Sequence, residues 1–374
     1  MRGARTGGSC RGGWALAGLR VGRETRVGEA ARSETSERTS RGEAGGAERV
    51  SRRHAPWVKE AILAGQRYHW RTKNRLAHNA RNLGALATLL AAIGALAWWG
   101  TFAHPWLYVP VAAFGFGLLY FATFVLVVHE ASHEMFVLAA DRALSKRLNR
   151  AFGWSVAIFF ATHYGKHWER GHLEHHVRPL EPGDPQSHNV LLGRKLLTRV
   201  LCNVFIPGFL FLDRTVLRTK RPGGKSSSSK GVIVLFVLLW ASVLTAAGLT
   251  LGAPVALALF LGIHVITGFN HVKGALEHGG PIGHEDDPFL RSRTTLFFGR
   301  RLLMPFHISL HFEHHLNFCV PWYDLPRYHE DLKAIVPPAV WREMVHDRPL
   351  RQLSGELGGL SEAARPHARP AQPA

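Results

Sequence analysis

The stretch His311-Phe312-Glu313-His314-His315 is the last of three histidine clusters, after His129-Glu130-Ala131-Ser132-His133 and His172-Leu173-Glu174-His175-His176. Residues three and four apart share one face of a helix, so each cluster aims two or three imidazoles in one direction. Neutral imidazole is a ligand for iron, zinc and copper, and one zinc ion takes only about four ligands. The eight histidines of the clusters therefore imply two metal ions. Of the 23 histidines in the chain, 16 fall from His129 to His315, a concentration that ordinary core or surface usage does not produce.

Working outward, the clusters are flanked by uncharged runs. Crossing a hydrocarbon core takes about 20 apolar residues, and Leu83 to Ala103 and Trp106 to Val128 each meet that length, joined by the sharp turn at His104-Pro105. Val232 to Leu251 and a run from 254 to 272 form a second pair, joined at Gly252-Ala253-Pro254. The expected fold is an all-α integral membrane protein: four transmembrane helices in two hairpins, with a cytoplasmic helical cap rich in histidine. Ala151 to Ala161 and Val200 to Leu212 are too short to span, and are expected at the interface or against the helical core. The membrane domain is expected to cover 57–350, between a disordered basic segment, 1–56, and a disordered tail, 351–374. Arg218 to Gly231, with Pro222-Gly-Gly and four serines, reads as a flexible connector.

The net charge of +19 is unevenly spread, with +11 carried by residues 1–82. Such a basic surface suits nucleic acid or anionic lipid, and the apolar blocks decide for the bilayer and against nucleic acid. Arg67, Arg71, Lys73 and Arg75 are expected at anionic headgroups, and Trp98, Trp99 and Trp106 at the outer interface. The two hairpin turns hold no Lys or Arg. By the positive-inside rule both termini and all three clusters lie in the cytoplasm, under an inner or plasma membrane. Cys10, Cys202 and Cys319 are too few and scattered for a disulfide framework and read as free thiols.

Each cluster carries a glutamate, Glu130, Glu174 or Glu313, and Glu277-His278 beyond the fourth span repeats the pairing. Metal-bound histidines usually give their second N–H to a carboxylate or carbonyl, so these four glutamates are expected to orient the imidazoles. His264, His271 and His278 recur every seven residues on one helix face. Of these, His278 is the expected ligand, His271 a hydrogen-bonding residue and His264 a packing residue. His163 and His167 are expected near the second cluster or at a substrate entrance, and His188, His284, His307 and His329 in surface or structural roles.

The order His-x3-His, His-x2-His-His, a lone histidine after the fourth span, then His-x2-His-His resembles the membrane fatty acid desaturase family. Asp184-Pro185, Asp287-Pro288, Arg291-Ser-Arg-Thr294, Leu316, Val320-Pro-Trp and Leu325-Pro-Arg-Tyr-His329 resemble its bacterial members. The resemblance covers roughly residues 80–335. It implies two non-haem irons that activate O2, the co-substrate, to take hydrogens from a lipid acyl chain. One iron would be held by His129, His133, His172, His176 and His314, the other by His175, His278, His311 and His315. The electrons would come from a separate donor such as ferredoxin or cytochrome b5, since no His-Pro-Gly-Gly haem motif is present. The chain departs from the family at Gly274, where acyl-CoA desaturases place asparagine, and at Glu134, where glycine is frequent. Acyl-lipid or acyl-CoA desaturation is the leading reading. Lipid hydroxylases and carotenoid ketolases share the same clusters.

Two other classes compete. His129-Glu130-x-x-His133 is also the signature of zinc metalloproteases, where the glutamate is a general base. An intramembrane protease leaves the two His-x2-His-His clusters unexplained. A metal transporter calls for ionisable groups inside the spans, and only His264 is a candidate there.

Overall fold

A computed structural model describes residues 54–181, 184, 190–212 and 229–361. The expectations for residues 1–53, 182–183, 218–228 and 362–374, and for Pro185 and His188, lie outside the described residues. All described residues belong to one compact unit.

α1 (Pro56–Gly65) leads to α2 (Arg75–Trp99), which Asn74 starts by accepting the Ala77 N–H on its side-chain oxygen at 3.1 Å. Such a cap satisfies one of the four N–H groups that a helix start leaves open. α3 (Pro105–Thr123) continues through a wide π turn, Phe124–His129, to Ser132. α4 (Arg142–Ala157), α5 (Gly171–Val177) and α6 (Gly193–Phe205) follow, and then α7 (Lys230–Thr250) and α8 (Ala253–His278). The last part holds α9 (His311–Leu316), α10 (Leu325–Ile335), α11 (Pro338–Met344) and α12 (Pro349–Ser354). Among the described residues, the one strand pairing joins Thr294–Thr295 to Val345–His346 in parallel.

Four helices are long and apolar enough to cross a membrane: Arg75–Trp99, Pro105–Ser132, Lys230–Thr250 and Ala253–His278. Each overlaps one of the four uncharged runs, with helix ends that differ from the ends of the run. The first begins eight residues before Leu83 and ends at Trp99, and the fourth runs on past 272 to His278. The reason is physical: a helix ends where its caps are, not where its apolar stretch ends. The second and fourth are inner helices, 72% and 56% buried over their most apolar windows, against 11% and 22% for the first and third. The inner pair meets at glycines. A Cβ on Gly117 would stand 2.3 Å from Val265 Cγ1, and one on Gly262 2.8 Å from Phe116 Cβ.

Neither short apolar segment spans. Ala151 to Ala161 ends α4 and the turn after it, and Val200 to Leu212 lies in α6 and a short helix, Phe209–Leu212. His264, fully buried in α8, ties this region down through Nδ1 to the Asn203 carbonyl at 3.1 Å and through Nε2 to the Gly208 N–H at 3.4 Å. Outside the spans, α1 packs with α9, α10 and α11 around Val58, Phe312, Tyr328 and Leu332.

Candidate metal centre

The first box ends α3. Met135 N–H bonds the Glu130 carbonyl at 2.9 Å and Glu134 N–H the Ala131 carbonyl at 3.0 Å, a Schellman turn with Glu134 left-handed at φ 59°. Glycine is the residue that takes this conformation without steric cost, which explains why it is frequent there in the family. The second box lies on α5, directly after another π turn, Tyr164–Arg170. The third lies on α9, and His278 is the last residue of α8.

Nine histidines from these four elements converge, all of them buried. His129, His133, His172 and His314 form one group and His175, His278, His311 and His315 another, with the ligand atoms of each group within 4.8 Å of one another. In the first, His129 Nε2 lies 3.0 Å from His314 Nε2. In the second, His311 Nε2 lies 3.0 Å from His278 Nε2 and 3.1 Å from His315 Nε2. His176 stands between them, its ring 4.6 Å from His314 and 4.4 Å from His315. Its Nε2 is 3.2 Å from His172 Nε2, on the side of the first group.

This donor set fits metal ions. Metal–nitrogen bonds of about 2.1 Å put neighbouring ligands roughly 3.0–3.4 Å apart in octahedral or tetrahedral geometry. His133 Nε2 is buried with no hydrogen-bond partner, aimed into its group. Burial depresses the His176, His311, His314 and His315 pKa values well below the ordinary imidazole range and that of His133 to about 3. The rings are thus neutral at pH 7, the form that ligates metal. Phe318 covers the rings of His133 and His176, and Trp168 that of His172, keeping water from this side.

The outer partners differ from the glutamates expected. Glu130 does face His129 Nδ1, at 3.2 Å, and Glu277 lies 3.3 Å from His311 Nδ1 and 2.5 Å from Lys273 Nζ. Glu174 instead pairs with Arg178 at 2.6 Å on the surface. Glu313, fully buried, accepts the Thr294 hydroxyl and pairs with His329 Nδ1 at 2.5 Å. Each stands two residues after the first histidine of its cluster, about 200° round the helix and so opposite the imidazoles. The carboxylate that reaches His175 is Asp184, with Oδ2 2.8 Å from Nδ1, and His278 Nδ1 is held by the Arg291 carbonyl at 2.8 Å. Asp184 and Arg291 belong to the sequence patterns around the boxes, yet only the folded chain assigns them these contacts. His329 is likewise more than a surface group, being buried against Trp341 as well as Glu313.

Fold and site together define a class: a helical membrane protein with two adjoining nests of buried histidines suited to two metal ions. The sequence model of the fatty acid desaturase family matches residues 105–346, and the chain belongs to that family. Comparison with curated proteins and with solved structures finds no match. Membership makes the chain an integral membrane oxidoreductase with a lipid substrate.

Proposed function

We propose that the chain is an O2-dependent fatty acyl desaturase with a di-iron centre, acting on acyl-lipid or acyl-CoA. The observation that carries this reading is the pair of adjoining all-imidazole groups at the ends of two membrane helices. His129, His133, His172, His176 and His314 would hold one iron, and His175, His278, His311 and His315 the other. When bound, these irons would supply O2 activation, and two hydrogens of the acyl chain, two electrons from a donor and two protons would together reduce O2 to two waters.

The chain's own residues supply the rest. Glu130, Asp184 and the Arg291 carbonyl orient ring nitrogens, while Glu277 stands beside His311 Nδ1 at 3.3 Å without a hydrogen bond to it. Phe318 and Trp168 keep the site apolar. Glu130 facing His129 is engaged as an orienting group, which counts against its service as the base of a zinc protease. The positive-inside rule puts the histidine groups and both termini in the cytoplasm, where a separate ferredoxin or cytochrome b5 has access.

Expression in a host without desaturases, followed by lipid analysis, tests the reading. New unsaturated chains that require O2 and iron are the expected result. His175→Ala and His315→Ala are each expected to abolish them while membrane insertion persists. Hydroxylated chains instead would move the assignment to a hydroxylase, and unchanged lipids from iron-loaded protein would remove it.

A further inference from the structure

After His133 the chain turns at Glu134 and bends through Phe136 and Val137 to Leu138, and there its backbone groups are taken up largely by side chains rather than by a helix or a neighbouring strand. Asn149 of α4 accepts the Phe136 N–H at 2.9 Å and the Val137 N–H at 3.1 Å, and donates to the Val137 carbonyl at 2.7 Å. From α2, Asn79 accepts the Leu138 N–H at 2.8 Å and donates to the Leu138 carbonyl at 2.9 Å. His78 meets the Met135 carbonyl at 2.6 Å. Asn82, with no exposed surface, donates to the Met135 and Phe136 carbonyls at 3.2 and 2.9 Å. Its remaining oxygen accepts the Trp322 indole N–H at 2.9 Å.

Asn82 and His78 both reach two parts of the site at once, His78 through its Nδ1 to the Tyr323 hydroxyl at 2.7 Å. Met135 lies two residues after His133, and Trp322 lies eight after His314 and seven after His315. The Trp322 main chain lies against the Glu130 carboxylate, which faces His129. His129, His133 and His314 are three of the four donors of the first group. Among the described contacts, neither Asn82 nor Trp322 touches a histidine of the second group.

We infer that Asn82, acting through its bridge to Trp322, is a positioning residue that bears on the first histidine group more than on the second, by locking the segment behind His133 to the segment that carries Trp322 against Glu130. A buried carboxamide whose nitrogen faces the Met135 and Phe136 carbonyls and His78 Nε2 and whose oxygen accepts from Trp322 has a fixed rotamer, since each bond left unmade in such a place is costly. Direct partners of metal-bound histidines typically carry about 10–100-fold in metal affinity, and loosening the frame behind His133 and Glu130 is expected to reach that range. The inference rests on the metal reading given above.

The test uses full-length protein in detergent and Co(II) as the probe, its binding followed by visible absorption. Wild type is expected to bind two ions. In a His278→Ala chain the remaining tight cobalt occupies the first group, and adding Trp322→Phe, which removes the indole N–H together with the second ring, is expected to weaken it about 10–100-fold. In a His129→Ala chain the remaining cobalt occupies the second group, and Trp322→Phe is expected to change its affinity less than about twofold. Asn82→Asp, which keeps the acceptor but loses the donors, is expected to give the same one-sided loss, and Trp322→Phe carries the test if that variant does not fold. Equal effects on both groups, or none on the first, overturn the inference. A wild-type chain that takes up no cobalt overturns the metal reading itself, and the inference falls with it.

Discussion

Glu174 and Asp184 stand ten residues apart and exchange the roles that sequence gives them. Glu174 lies inside a histidine box, yet its carboxylate is 43% exposed and holds Arg178. Asp184 lies in a loop, yet it is buried on His175 and also accepts the Leu180 N–H at 2.8 Å. An exposed ion pair of this kind is worth about 0–1 kcal/mol, whereas an orienting carboxylate sets ring direction and basicity. Glu174→Ala is expected to leave metal affinity within about twofold of wild type, and Asp184→Asn to lower that of the second group about 10–100-fold. Competition with a chromophoric chelator measures both. If Glu174→Ala causes the larger loss, the assignment of partners is wrong. The converging histidines were legible because a spacing of three and four has one meaning on a helix. Asp184 and the Arg291 carbonyl were not, because they arrive through loop geometry that no periodicity encodes.

At the scale of the element, uncharged length made the four spans legible but left their ends open. α2 starts in a polar stretch because Asn74 caps it, and α8 continues two turns past 272 to deliver His278. The wide turns before the first and second boxes, Phe124–His129 and Tyr164–Arg170, left no mark that hydropathy reads, since an extra residue in a turn changes direction and not composition. The α3–α8 contact is the other element that sequence hid. Gly117 reads as one more small residue in an apolar run, but no space remains for a side chain beside Val265 and the Gly262 carbonyl. Close approach of this kind is how membrane helices pack. Because α3 delivers His129 and His133 while α8 delivers His278, forcing them apart disturbs both groups together. Gly117→Leu is expected to cost about 1–3 kcal/mol through overpacking and to weaken both cobalt sites alike, unlike the one-sided loss from Trp322→Phe. A melting curve in detergent and the cobalt titration read these two effects, and an unchanged melting point with two intact sites would show that the crossing is loose.

For the whole molecule, charge and histidines give the same topology from separate evidence. The hairpin turns around Thr101 and Gly252 lack Lys and Arg, whereas the histidine groups sit at the other ends of α3 and α8. An even number of spans returns the chain to its starting side, so one choice of orientation fixes every cluster. Positive charge is costly to move outward across the bilayer, so the Lys- and Arg-rich side is the one expected to face the cytoplasm. A cysteine introduced at exposed Thr101, in a chain with Cys10, Cys202 and Cys319 replaced by serine, is expected to react with a membrane-impermeant maleimide on intact cells. One introduced at Lys333, whose side chain is 47% exposed on α10, is expected to react only after the membrane is opened. Labelling of both positions from outside would put an even number of crossings between them, against the three of the four-span fold, and the histidine side in contact with the exterior, where a cytoplasmic electron donor has no access. The reverse pattern would invert the orientation while leaving the metal groups intact, so this experiment separates the question of sidedness from that of chemistry.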